Sequence, residues 1–399
     1  MSDVGLASQK PLFAIPPGEV YLNSAYMGPM PRPVLTAGEA ALALRAMPAA
    51  LKPADFFEPA ERVREQCARL VDASPEGVAF VATVADGLAD VAANLEPHPG
   101  QNVVVLGDQF PSNVYPWRRW RAGGVTLRSV APPAADARDR AAWRDRCRAW
   151  NERVVDAIDR DTLLVAVEQA HWTDGTLFDL DRIGERARRV GAAFVIDGTQ
   201  TVGAMPLDCG AIRPDALVVH AYKAMLANYG LGFAVFSERF AQGRPVSESW
   251  LLRAGSEDFA RLVDYQDAYA PGMRRFDTST RANPLLIGML EAACRLLLEW
   301  WPARIREYLL SIESRAIARL RAAGFGIADD DLRAANLFGI ALPPGLAPEP
   351  VRAALAERRI HVSVRGTAVR VSPHMCNDEA DLDALATALI EVAAGAGRA

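Results

Sequence analysis

From about residue 60 to 240, short apolar runs alternate with stretches whose apolar positions recur every three or four residues. The runs predict strands at Val78–Val81, Val103–Leu106, Leu163–Val167, Ala193–Ile196, Ala216–Val219 and Gly232–Phe236. Between several of them the helical period takes over. In Asp179–Val190, for example, Leu180, Ile183, Ala187 and Val190 share one face. Strands that are apolar throughout, rather than alternating, are buried on both faces. Their alternation with helices predicts an α/β fold with a large, mostly parallel sheet covered on both sides. In such folds ligands meet the carboxyl ends of the strands, so the residues that follow each strand carry the chemistry.

Beyond Asn283 the pattern changes. Long helices are predicted at Pro284–Trp300 and Arg304–Ala323, then a strand at Asn336–Leu342 and a helix at Pro350–Arg358. A short strand pair around His361–Val364 and Ala368–Ser372 precedes a final helix from Asp378. This is the signature of a smaller α+β domain. The expected division is a segment 1–25 packing with the small domain, a large domain 26–283, and a small C-terminal domain 284–399. The Arg/Asp-rich stretch Ala131–Arg146 reads as an exposed connection, and no internal repeat is present.

Composition narrows the class. The chain has 399 residues, half of them hydrophobic, and a formal net charge of −5. That balance gives no reason to expect nucleic acid or an anionic membrane as partner. No signal peptide is read at the start, and the apolar runs are too interrupted to span a bilayer. Cys67, Cys147, Cys209, Cys294 and Cys376 are odd in number and widely spaced, as are five scattered histidines. Neither a disulfide framework nor a metal site is expected, which suits a reducing cytoplasm.

Only three of the 44 basic residues are lysines: Lys10, Lys52 and Lys223. Arginine can replace lysine as a surface charge but stays protonated and offers no free amine. Lys223 lies in the apolar, glycine-flanked stretch HAYKAMLANYGLGF, and is a leftover surface lysine or an amine kept for chemistry. Twenty-six residues earlier, the strand AFVI runs into Asp197-Gly198-Thr199-Gln200-Thr201-Val202-Gly203. A carboxylate at a buried strand end is costly without a cationic partner. Asp197 alone also reads as a helix N-cap. An acid and a lysine on neighbouring strand ends together suit pyridoxal 5′-phosphate: the amine condenses with the aldehyde, and the carboxylate keeps the pyridine nitrogen protonated.

From Tyr21 to the final helix the chain resembles the class V aminotransferase-like group of fold-type I pyridoxal-phosphate enzymes, which includes cysteine desulfurases, kynureninases and isopenicillin N epimerases. The resemblance makes Lys223 and Asp197 the catalytic pair. YLNSAYMGPMP (Tyr21–Pro31) is similar to the entry segment, implying that Asn23, Ser24, Ala25 and Tyr26 line the substrate end. FVATVADGLADVAANL resembles the phosphate-binding turn before the first long helix, where free N–H groups and the helix dipole favour an anion. There the chain departs from the family. Val84 and Ala85 stand where hydroxyls are usual, leaving backbone amides and Thr83, or compensation elsewhere.

GDQFPSNVYPW resembles the kynureninase form of the ring-stacking segment, with Phe110 over the cofactor ring or simply in the core. EQAHWTDGTLFDL places Trp172 where desulfurases have an asparagine; Trp172 and His171 are substrate-side candidates or packing residues. Gln200 matches the desulfurase glutamine that meets the cofactor's phenolic oxygen. HAYK resembles kynureninases in placing a tyrosine before the lysine, implying that Tyr222, and His220 with it, lie near the phosphate. RRFDTST resembles the segment that reaches the partner's phosphate, implying a homodimer with shared sites and Thr280 as the contact. VRVSPHMCNDEADLDAL resembles the carboxyl-terminal element, where Arg370 would clamp a substrate α-carboxylate at two points unless it is an exposed strand arginine.

Desulfurases carry a nucleophilic cysteine on a loop before the arginine strand. Here only Arg365-Gly366-Thr367 stand between Val364 and that strand, and Cys376 reads as buried. The expectation is therefore a lyase acting on an amino acid by C–S or Cβ–Cγ cleavage without a persulfide cysteine. Transamination or epimerisation by the same residues is the alternative, and a non-catalytic binding protein on the same fold a further one. Tyr26, Trp172 and the Trp250–Tyr269 stretch, read as a flap, suggest an aromatic-walled pocket.

Overall fold

The structure, a computed structural model, describes residues 5–136, 139–365 and 368–396. Gly366 and Thr367 of the arginine-strand loop, and residues 137–138 of the Arg/Asp-rich connection, fall outside that description. The chain opens with β1 (Val20–Tyr21), α1 (Arg32–Ala46) and α2 (Glu58–Leu70). There follow β2 (Val78–Val81), α3 (Val84–Ala93), β3 (Asn102–Leu106), α4 (Tyr115–Arg118), β4 (Thr126–Val130) and α5 (Arg140–Asp156). Next come β5 (Thr162–Glu168), α6 (Leu180–Val190), β6 (Ala193–Asp197), α7 (Cys209–Ile212), β7 (Ala216–His220) and β8 (Gly232–Phe236). The carboxyl-terminal part holds α8 (Pro284–Trp300), α9 (Pro302–Ala322), β9 (Phe338–Ala341), α10 (Pro348–Glu357), β10 (Ile360–His361), β11 (Ser363–Arg365), β12 (Ala368–Val371) and α11 (Glu379–Ala396).

Seven strands form the large sheet in the order β2-β8-β7-β6-β5-β3-β4. From β7 to β4 every pairing is parallel, while β8 runs antiparallel to both β7 and β2. Successive residues of one strand feed opposite faces, as a period of two requires. Val104, Val165, Ile196 and Leu217 join the core shared with α6 and α8, whereas Val103, Leu164, Val195 and Val218 pack with Leu88, Trp117 and Trp120 on the other side. Two cores on one sheet explain why these strands read as continuous apolar runs.

Two expectations need correcting. Strand β4 was not foreseen, because Thr126–Val130 is an edge strand that mixes exposed and half-buried positions and shows no apolar run. The connection expected to reach Arg146 instead becomes helical at Arg140: Asp139 caps α5 through the Ala141 and Ala142 amides, and Cys147, Trp150 and Val154 bury one side. Charge hid this helix, since Arg140 and Arg144 face Asp329 rather than solvent alone.

In the carboxyl-terminal part a three-stranded sheet, β11-β12-β9, is antiparallel, with α11 packed on α9 and α10. Helix α8 packs against α1 and α2. The Trp250–Tyr269 stretch is a set of short turns closed by a bridge between Arg253 and Tyr269.

Candidate active site

Strands β5, β6 and β7 end side by side, and Glu168 is in register with Asp197. Beyond those ends lies a cavity of about 280 Å³, whose lining includes Asp197, Gln200, His220, Tyr222 and Lys223. Val84 and Ala85 reach it from the start of α3, and Phe110 and Trp172 from the connections after β3 and β5. Nine of the residues singled out from the sequence thus meet in one place. Thr83, named there as a fallback, lines the cavity too; Ser112, Glu168, Thr199 and Tyr229 line it as well and were not foreseen as site residues.

The lysine turn is held from both ends of the chain. The Gly28 amide donates to the Tyr222 carbonyl at 2.9 Å. A Cβ at Gly28 would lie 2.1 Å from the Lys223 carbonyl oxygen, so only glycine fits this approach. From the other side His374, fully buried, meets the Ala224 carbonyl at 2.9 Å through Nε2. Burial holds His374 at a pKa of about 4, so it is neutral and donates that N–H. Lys223 itself is 5% exposed, with Nζ 5.0 Å from the Phe110 ring centre and 5.3 Å from that of Tyr222. Burial lowers its pKa to about 8, against the attraction of Asp197 and Glu168.

Asp197 accepts from the Thr199 amide at 3.0 Å. Burial pushes its carboxyl above the ordinary value despite that bond and the charge of Lys223. A cationic group beside it would restore the carboxylate. Gln200 donates to the Ala25 carbonyl, while its amide oxygen is buried without a hydrogen-bond partner among the described residues. His220 is held neutral, near pKa 4, by burial and by Lys223, and accepts from the Gly230 amide. Its ring packs with Tyr222 and Tyr229, centroids 4.5 to 4.6 Å apart.

Other expected residues lie around the cavity rather than on its lining. Arg370 is buried, donating to the Trp172 carbonyl at 3.0 Å and to Ser363 Oγ at 3.3 Å. Ser363 Oγ in turn donates to Asn23 Oδ1 at 2.9 Å, so Asn23, Ser363 and Arg370 form one chain beside Trp172. Ser24 is buried, and Tyr26 is 62% exposed. His171 is buried, its ring tilted against that of Trp150 and bonded through Nε2 to the Gly107 carbonyl. Thr280 is exposed and meets Thr278. Among the described residues no cysteine lines the cavity; all five are free and buried, and burial lifts Cys376 to about 12.

The donor set fits pyridoxal phosphate. Asp197 is a buried carboxyl whose charged form a ring cation would favour, the Gln200 amide oxygen is buried without a hydrogen-bond partner among the described residues, and the buried Lys223 amine has its pKa lowered to about 8. The N-terminus of the ten-residue α3, with its amides free of intrahelical partners, offers an anion site despite the apolar Val84 and Ala85 side chains. Thr83 Oγ1 is engaged by Asp86 and Thr199 Oγ1 by the His220 amide, leaving Ser112, Tyr222 and Tyr229 as the other hydroxyls on the lining.

Comparison with known proteins agrees. The chain is 26% identical over 334 residues to the uncharacterized aminotransferase YcbU of Bacillus subtilis, covering 82% of each. It is 27% identical to the isopenicillin N epimerase of Amycolatopsis lactamdurans, covering 97% of this chain and 98% of that one. Among solved structures, a cysteine desulfurase of Thermococcus onnurineus superposes with a TM-score of 0.78 at 19% identity, over 98% of this chain and 99% of the other. The cystine C–S lyase C-DES does so with a TM-score of 0.80 at 19% identity, over 96% and 99%. These likenesses establish the fold. The aminotransferase class-V model matches residues 20–385, and the chain belongs to that family of pyridoxal-phosphate-dependent enzymes.

Proposed function

We propose that this enzyme is a lyase that removes the α-proton of an amino acid and expels its β-substituent, breaking a C–S or Cβ–Cγ bond without a cysteine relay. The observation that carries the reading is a cavity with one amine base, Lys223, and no cysteine among its described lining residues. Bound there, the cofactor supplies an aldehyde for the amine and a ring that takes up the electron pair released at Cα. Lys223, neutral above about pH 8, accepts the proton from Cα and can return it. Asp197 would favour a positive charge at the ring nitrogen. Phe110 would lie against the ring, and the first-turn amides of α3 with Tyr222 and His220 would hold the phosphate. Arg370, with Asn23 and Ser24 beside it, takes the substrate carboxylate, and Trp172, Tyr26 and His171 shape the substrate side. Thr280 serves the partner's site in a homodimer.

Epimerisation is the second reading, favoured by the near full-length match to isopenicillin N epimerase. Incubation with L-cysteine conjugates, L-cysteine sulfinate and L-kynurenine separates the two. Pyruvate or alanine together with a released fragment is expected. Loss of optical activity in intact amino acid, or a keto acid formed only when a second keto acid is added, would refute the lyase.

A further inference from the structure

We propose that Glu168 is a positioning residue whose carboxyl group ties the two aromatic walls of the site together. It ends β5, is 2% exposed and lines the cavity beside Asp197. Its Oε1 accepts from the Phe110 amide at 3.3 Å and its Oε2 from the Trp172 amide at 2.8 Å. Those amides belong to different connections, one after β3 and one after β5. Between them the Phe110 and Trp172 rings meet edge to face, with centroids 5.6 Å apart at 82°.

The consequences run outward from that one side chain. Phe110 is the ring nearest the Lys223 amine, and the Trp172 carbonyl is the acceptor that holds Arg370. Trp172 Nε1 donates to the Asp108 carbonyl at 2.7 Å, so the two connections are also pinned at a second point. A residue wanted only for packing would be apolar here. Burial and the neighbouring Asp197 oppose the charge, lifting the Glu168 carboxyl to about 8, and two main-chain N–H bonds work against that cost. With both oxygens committed, Glu168 is a strut rather than a second base.

The proposal rests on the cavity being the cofactor site, so its main test is made without cofactor. Hydrogen–deuterium exchange on the cofactor-free protein compares wild type with Glu168→Gln, whose amide can accept from only one of the two N–H groups. Exchange about tenfold faster is expected in at least one of the segments 107–114 and 169–175, the rest of the sheet being unchanged. Unchanged protection in both segments would overturn the idea. Loss spread over the whole sheet would also overturn it, since that marks a merely structural role. Should the Gln variant not fold, Glu168→Asp, too short to span both amides, is expected to lose protection in at least one segment; retention in both is again contrary. In the cofactor-loaded protein, the Gln variant is expected to keep its visible absorbance while its visible circular dichroism changes. If wild type binds no pyridoxal phosphate, the function reading fails while the exchange result still judges Glu168.

Discussion

Lys223 differs from the other two lysines in what surrounds it. Lys10 is spent on ion pairs with Asp378 at 3.0 Å and Asp381 at 2.7 Å, and Lys52 lies exposed. Lys223 is buried, and burial destabilises its charged form. A lowered amine pKa means that the neutral, nucleophilic form dominates above about 8 instead of above the ordinary 10.5. Capture of pyridoxal phosphate by the cofactor-free protein, followed by visible absorbance, is therefore expected to rise with pH about a midpoint near 8. A rise continuing to 10.5 would show a solvated amine. Lys223→Ala is expected to abolish the band altogether. Arg370→Ala should leave the band intact and raise the apparent KM on the order of tenfold or more, the loss of a charge-assisted contact; loss of the cofactor in that variant would count against the clamp.

At the scale of elements, one buried carboxylate joins the start of the sheet to the segment that ends in Thr280. Asp277 accepts from the Phe80 amide at 2.8 Å, from Arg64 at 2.7 Å and 3.2 Å, and pairs with Arg281 at 2.8 Å. All three side chains are nearly or fully buried, so Asp277→Ala would leave Arg281 with main-chain carbonyls alone and take from Arg64 its buried carboxylate, Glu61 and the Val78 carbonyl remaining. A cost of about 3–5 kcal/mol is expected in denaturant unfolding; a cost below 1 kcal/mol would mean that water reaches the arginines. Element positions were well legible where an element is buried on both sides: Gly232–Phe236 and Pro284–Trp300 are found as expected. They were poorly legible where charge masks the pattern. β4 is an edge strand, and α5 presents arginines whose partner, Asp329, is remote in the chain. RRFDTST signalled a functional segment by resemblance, yet nothing local in it told that its aspartate would be the buried anchor.

On the scale of the whole molecule, Lys223 is enclosed by segments from far ends of the chain, with Gly28 on one side and His374 on the other. Among the described residues no helix is long and apolar enough to cross a membrane. Trp250, Phe259, Leu262, Val263 and Tyr265 are exposed to 42%, 37%, 38%, 74% and 90% on the stretch that leads toward Thr280. An apolar surface of this kind is suited to a second copy. Sedimentation is accordingly expected to give a particle of twice 43.1 kDa, and Val263→Glu with Tyr265→Glu should shift it toward the single chain. A monomer for the unaltered protein would sink the shared-site arrangement.

By itself the sequence determined the layered α/β plan and the placing of Asp197 and Lys223 at neighbouring strand ends. Hydrophobic periodicity and strand-end position are local properties, written in consecutive residues. Only the tertiary structure decided that Glu168 faces Asp197, that both its oxygens take amides from two separate connections, that His374 closes the lysine turn, and that Arg370 is engaged by the Trp172 carbonyl. Such contacts depend on strand register and on which loops meet above the sheet. No run of neighbouring residues records either.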